Sequence, residues 1–106
     1  MKPQAAVTRA LAVLADPSRR AVITLLHQRP HRAGELAARL KLSAPAMSRH
    51  LRALRYSGLV TQAAPDEDAR ARLYRLEPQA LQPLRSWLDE LSAFWDGQLA
   101  AFKAHC

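Results

Sequence analysis

Residues 43–60, SAPAMSRHLRALRYSGLV, leave the chain little choice of local structure. Ser43 offers a hydroxyl that can accept a hydrogen bond from an otherwise unpaired N–H at a helix start. Pro45 falls in the first turn, where a missing N–H costs little. Gly58 marks the end, because glycine tolerates the left-handed conformation that closes many helices. At about 100° per residue, Met47, Leu51 and Leu54 share one face. Pro45, Arg49, Arg52 and Tyr56 lie opposite, with Ser48 and Arg55 on one flank and His50 on the other. The result is a short helix with an apolar back and a front of small groups, hydroxyls and guanidinium forks. Such a front suits a groove lined with phosphates and base edges.

The charge distribution points the same way. Residues 1–55 carry 11 Lys/Arg against 2 Asp/Glu, a net of +9, whereas residues 56–106 carry 5 against 7, a net of −2. The positive field therefore belongs to the half that holds this helix, which favours a polyanionic partner, nucleic acid first. A chain of 106 residues is one domain by length, spanning residues 1–106. The first residues lack a continuous apolar segment of the signal-peptide kind, and no apolar run approaches membrane-spanning length. The one cysteine, Cys106, excludes an internal disulfide and fits a reducing compartment. The expectation is a cytoplasmic protein with no membrane partner.

The flanking segments read as support. Residues 5–14 have helical spacing, with Val7, Leu11 and Leu14 on one side. Asp16 can cap a second helix that Pro17 opens, running to about Gln28, burying Val22, Ile23, Leu25 and Leu26, and stopped by Pro30. Residues 33–40 form a short third helix with Leu36, Ala37 and Leu40 inward, and Lys41, Leu42 and Ser43 connect it to the helix described first. Two short helices so joined make a helix-turn-helix. Past Gly58 the period changes: residues 59–63 and 71–76 favour strands and flank an acidic loop, a two-stranded wing that must pack on the helices through Leu59, Leu73 and Leu76. The expected fold is thus mainly α, a winged helix-turn-helix of about five helices plus a β-hairpin.

A last helix from near Pro78 to about Lys103 carries Leu81, Leu84, Leu88, Leu91, Trp95, Leu99 and Phe102 in one stripe, widened by Trp87 and Phe94. Pro83 is tolerable only in its first turn. A core of this size covers only part of such a stripe, and soluble monomers rarely expose large apolar patches. A homodimer would bury the remainder, with Val7, Leu11, Leu84, Leu88, Leu91, Trp95, Leu99 and Phe102 at the interface.

The sequences LADPSRRAVITLL, GELAARLKLSAPAMSRHLRALRYSGLV and RLYRL, in that order, resemble the ArsR-type winged-helix transcriptional regulators over nearly the whole chain. The resemblance is most diagnostic in the spacing of GELA, then S-x-P-A-x-S-x-H-L-x-x-L, then GLV. The tail WLDELSAFWDGQLAAF looks like the branch with an aromatic FWD segment in the last helix. The resemblance implies a homodimeric repressor of a compact promoter site on double-stranded DNA. The family's base- and phosphate-facing positions fall on Ser43, Ala44, Pro45, Ser48, Arg49 and Arg52. Many relatives have Gln where this chain has Ala44; an amide can read adenine, whereas a methyl offers only apolar contact. The wing tip is acidic, with Asp66, Glu67 and Asp68, so Arg70 and Arg72 at its base are better candidates for the DNA backbone.

Other chemistries fit poorly. His50 flanks the apolar face, and its plain reading is a half-buried histidine that holds the helix to its neighbour or to a phosphate. The third helix has no thiolate, and Pro30 separates His27 from His31, so neither a metal site nor a cofactor is expected. Cys106 lacks a resolving partner in the chain. Trp87, Phe94 and Trp95 are candidates to line a pocket at the dimer interface for an unidentified small-molecule effector, although aromatic stripes at this spacing usually serve as core. There is no phosphate-binding loop, nucleophile elbow or paired carboxylate of a catalytic kind, so no catalytic residue is expected. The alternative to a sequence-specific regulator is a non-specific architectural DNA-binding protein, which would share the charge but not the preference among sequences.

Overall fold

The computed structural model describes residues 3–64 and 71–104. Five helices, α1 (Pro3–Leu14), α2 (Pro17–Gln28), α3 (Ala33–Leu40), α4 (Ala44–Tyr56) and α5 (Gln82–Ala104), pack with three short strands, β1 (His31–Arg32), β2 (Val60–Ala64) and β3 (Leu73–Leu76). A 3-10 turn over Pro78–Leu81 leads into α5 and leaves Pro83 in its first turn.

Local chemistry sets the helix ends. At the start of α2, Asp16 Oδ1 accepts from the N–H groups of Ser18 (2.7 Å) and Arg19 (3.2 Å). At the start of α4, Ser43 Oγ accepts from Ala46 N–H at 3.2 Å. The two helices of the helix-turn-helix are separated by Lys41, which takes the left-handed conformation (φ 55°) while Leu42 N–H donates to Ala37 O. Gly58 does the same for α4 at φ 84°. There the N–H of Gly58 donates to Arg55 O and that of Leu59 to Leu54 O, the paired bonds of a Schellman closure. Leu54 and Leu59 are both buried, so the closure carries its usual apolar contact.

The core gathers Val22 and Leu26 of α2, Leu36 of α3, Met47, Leu51 and Leu54 of α4, and Leu59, Val60 and Tyr74. The predicted inner face of α4 is thus the buried one, which fixes Arg49 and Arg52 outside. In α2, Ile23 and Leu25 are only partly buried.

The wing differs from the two-stranded expectation. The sheet has three antiparallel strands in the order β1-β3-β2. β1 pairs His31 with Tyr74 and Arg32 with Leu73; β2 pairs Val60 with Leu76 and Thr61 with Arg75, with a bulge between Gln62 and Ala64. Ala33 N–H donates to Arg72 O at 3.0 Å, and the Arg32 guanidinium donates to Ala71 O, so α3 starts tethered to the wing. Tyr74, not Leu73, is the residue β3 buries in the core. Successive side chains on a strand face opposite ways, so Leu73 and Leu76 cannot both face inward.

The molecule measures 63 × 30 × 20 Å with a radius of gyration of 17.5 Å, where a compact domain of this length has about 13 Å. α5 accounts for the excess. Its N-terminal part packs on α1, and Leu88, Leu91, Phe94, Trp95 and Leu99 beyond it remain exposed.

Candidate nucleic-acid interface

α4 presents Ser43, Ala44, Pro45, Ser48, Arg49 and Arg52 to solvent along one exposed face. The fold has brought all six together, because the apolar stripe opposite them is sealed in the core. Arg55 and Tyr56 extend this face at its C-terminal end, and Tyr56 is 85% exposed. Neither had been assigned a contact from sequence, although Arg55 continues the guanidinium series and Tyr56 shares the face of Arg49 and Arg52. Ser43 uses one lone pair in capping, and its O–H remains available as a donor.

His50 is half-buried, and its Nδ1 accepts from Arg19 Nε at 3.3 Å. This bond joins α4 to α2. It also assigns the tautomer: an acceptor Nδ1 places the proton of a neutral ring on Nε2. Arg19 is the residue sequence reasoning missed here, since it lies 31 positions away with no local pattern linking the two. Asp16 stands beside this pair. Partial desolvation pushes its carboxyl up, but the N–H groups of Arg19 and Ser18 and the nearby His50 and Arg19 outweigh this and hold it below its ordinary value.

Arg72 is half-buried at the entry to β3, where its carbonyl accepts from the first N–H of α3. That bond holds the Arg72 backbone beside the start of α3. Arg70 lies outside the described residues, as do the acidic tip residues Asp66, Glu67 and Asp68.

A second cluster ties β1 to α3. His31 is 1% exposed; its Nε2 lies 3.0 Å from Leu25 O, and its Nδ1 lies 3.0 Å from Glu35 Oε1 without the alignment of a hydrogen bond. Arg29 reaches the other oxygen of Glu35 at 2.6 Å. The Arg29 hydrogen bond, stronger than the opposing desolvation and helped by His31, holds the Glu35 carboxyl down to about 2. This cluster is structural. His27 is exposed on α2 while His31 is in β1, so the two do not converge, and no group of three or more metal-ligating side chains occurs among the described residues.

The residues expected at a dimer face divide into two sets. Leu11, Leu88, Leu91, Trp95 and Leu99 are exposed, and Leu84 is half-buried. Val7, expected with them, is only 5% exposed within the protomer and so has no surface left to offer. The Phe102 side chain lies outside the described residues. Phe94 and Trp95 meet edge to face with ring centroids 6.0 Å apart, while Trp87 is partly buried near α1.

Comparison with known proteins gives this geometry a context. The sequence profile of bacterial regulatory proteins of the arsR family matches residues 16–62, from the α2 cap into β2. A helix-turn-helix-type transcriptional regulator of Mycobacterium tuberculosis, Rv2034, is 38% identical over 94 residues, which are 89% of this chain and 82% of that protein. The solved structure of an ArsR-like transcriptional regulator from Rhodococcus superposes with a TM-score of 0.73 at 32% identity, covering 97% of this chain and 94% of the other. Another solved structure, described as a possible transcriptional regulator for arsenical resistance, is 41% identical with a TM-score of 0.64 and covers 91% of this chain and 94% of its own.

Proposed function

Because this chain belongs to the ArsR family of DNA-binding transcriptional regulators, we propose that it works as a homodimeric repressor of its own or a neighbouring promoter. The observation that carries this reading is the apolar outer stripe of α5, which the protomer leaves in water. A symmetric pairing of this stripe, with Leu11 at its edge, covers it and sets two α4 helices side by side. In that arrangement the helices enter successive major grooves about 34 Å apart on a near-palindromic site. The whole chain then acts as one domain, with α5 as its dimerisation element.

Within each half-site the roles follow position. Ser43, Ala44, Pro45, Ser48 and Arg49, at the N-terminal end of α4, meet base edges and the flanking phosphates. Arg49 is the principal base reader, because that end of a recognition helix usually reaches deepest. Arg52 and Arg72 neutralise phosphates, and His50, with its tautomer fixed by Arg19, donates its Nε2–H to one. Arg70 belongs to the same backbone-contacting set on sequence grounds. Bound DNA releases counterions, so the logarithm of affinity falls with that of salt at about −0.9 per phosphate neutralised. Such a regulator works in the cytoplasm, and no described helix is long and apolar enough to cross a membrane.

Footprinting on the DNA upstream of the protein's own gene, with scrambled competitor present, tests the reading. A discrete protected stretch of about two helical turns containing an inverted repeat is expected. Uniform protection that the competitor abolishes would replace the repressor with a non-specific architectural DNA-binding protein.

A further inference from the structure

The last turn of α4 carries a surface that packing within the protomer does not account for. Tyr56 is 85% exposed and has no ring or hydrogen-bond partner among the described residues. It stands as a ridge between two grooves. One lies against Val13 of α1 and is lined by Arg49, Arg52 and Ala53. The other lies against β2 and is lined by Arg52, Arg55 and Thr61. No acidic side chain lines either groove among the described residues. Arg49, Arg52 and Arg55 are exposed, and none of them makes an ion pair with a described residue. Glu77, the acid beside the second groove, is engaged by Thr61 at 2.7 Å, Gln79 at 2.8 Å and Arg75 at 3.1 Å. Bare carbonyls at a helix end repel anions, but here they are covered: those of Ala53, Leu54 and Arg55 accept from the N–H groups of Ser57, Leu59 and Gly58.

We infer that Arg55 and Tyr56 hold the sugar–phosphate backbone of one DNA strand at the rim of the major groove. The tyrosine ring lies against a deoxyribose and its O–H donates to a phosphate oxygen, while Arg55 meets the phosphate from the groove beside β2. The inference rests on the placement of α4 on DNA proposed above, and extends it by a contact that carries no base readout. Length supports it. The 13 residues of α4 rise about 19 Å, whereas the major groove is about 12 Å wide. A helix that enters this groove N-terminal end first carries its last turn out to the rim, where the phosphates are. Homeodomain recognition helices likewise meet the backbone with their C-terminal ends. Such contacts fix the register and orientation of the protein on the duplex and are indifferent to sequence. Arg49 and Tyr56 therefore divide the work of one helix face, the first reading and the second anchoring. A ring supplies apolar cover for the sugar that a further guanidinium would not.

Fluorescence anisotropy of the full chain on the footprinted duplex and on a scrambled one, from about 50 to 200 mM salt, tests this. Arg55→Gln should make the salt slope shallower by about 0.9 on both duplexes. Tyr56→Phe keeps the ring and loses the O–H, and should weaken both by about fivefold at unchanged slope. Tyr56→Ala should weaken both further, with helix content unchanged by circular dichroism. A scan of neutral methylphosphonate linkages across the footprint should find a phosphate whose replacement weakens the wild type and leaves Tyr56→Phe nearly unaffected. Wild-type affinity and slope in Tyr56→Ala and Arg55→Gln would overturn the inference. Losses confined to the footprinted duplex would overturn the backbone assignment, and a scan that finds no such phosphate would overturn the tyrosine contact. If no discrete footprint exists, the repressor reading fails, yet the scrambled duplex still decides this inference, because the contact is independent of sequence. A wild type that binds neither duplex would overturn the placement of α4 on DNA, and the inference with it.

Discussion

Trp95→Ala gives the sharpest test of the proposed dimer, because the substitution touches almost nothing inside the protomer. Trp95 is 63% exposed, on the outer side of α5. A buried tryptophan hides about 150–250 Å², so the exposed part of this one amounts to about 140 Å². At about 25 cal/mol per Å² that area corresponds to about 3.5 kcal/mol in one protomer. The symmetry of the pairing repeats it, giving an upper bound of about 7 kcal/mol. Interface area converts only partly into affinity, because ordering side chains offsets it; taking half as realised leaves about 3.5 kcal/mol. The dimer dissociation constant should therefore rise by about 350-fold. Sedimentation equilibrium over a range of concentrations measures this directly, while circular dichroism should show unchanged helix content. A wild type that is monomeric at micromolar concentration would refute the reasoning, as would a Trp95→Ala dimer of unchanged affinity.

Three further outcomes are expected. Arg49→Ala should weaken specific DNA binding by about 1–3 kcal/mol and barely alter binding to scrambled DNA; competitive anisotropy checks this, and equal losses on both would remove Arg49 as a base reader. Leu54→Ala, at a fully buried position of α4, should cost about 2–5 kcal/mol, seen as a lower urea midpoint at unchanged slope. Glu35 has its folded pKa held down to about 2, against an ordinary value of 4.5. Its contribution to stability is therefore fully present above 4.5 and lost as pH falls toward 2. Glu35→Gln should lower the melting temperature near neutral pH and flatten its decline across that window; parallel acid limbs for the two proteins would contradict the assignment.

The parts of this fold that could be read from sequence are those fixed by neighbours in the chain. Asp16 with Pro17, and Ser43 with Pro45 and Gly58, place helix ends through contacts within a few residues, and the structure puts those ends where the residues demand. The apolar stripe of α4 likewise determined which side of the candidate interface faces outward. β1 was illegible because two residues carry no period; His31 and Arg32 become a strand only through pairing with Tyr74 and Leu73, some forty positions on. The inward residue of β3 was missed for a related reason. A strand's buried face depends on a register that its partners impose, and a shift of one residue exchanges the faces. The Arg19–His50 bond is likewise a property of how α2 and α4 pack, so no inspection of either helix alone reveals it.

Leu59 links the two halves of the proposed DNA-reading unit. Its N–H is bound to Leu54 O in the last turn of α4, and its carbonyl accepts from Glu77 N–H, just past β3, at 2.8 Å. One peptide segment therefore clamps the end of α4 to both strands of the wing. The wing cannot peel away without fraying that final helical turn, and the turn cannot unwind without releasing β3. In native-state hydrogen exchange the amides of Leu59 and Glu77 should open together, as members of one cooperative unit. In the proposed complex α4 and the wing then approach the duplex as a single stiff body, and the entropy of aligning them is lost when the chain folds rather than when DNA is met.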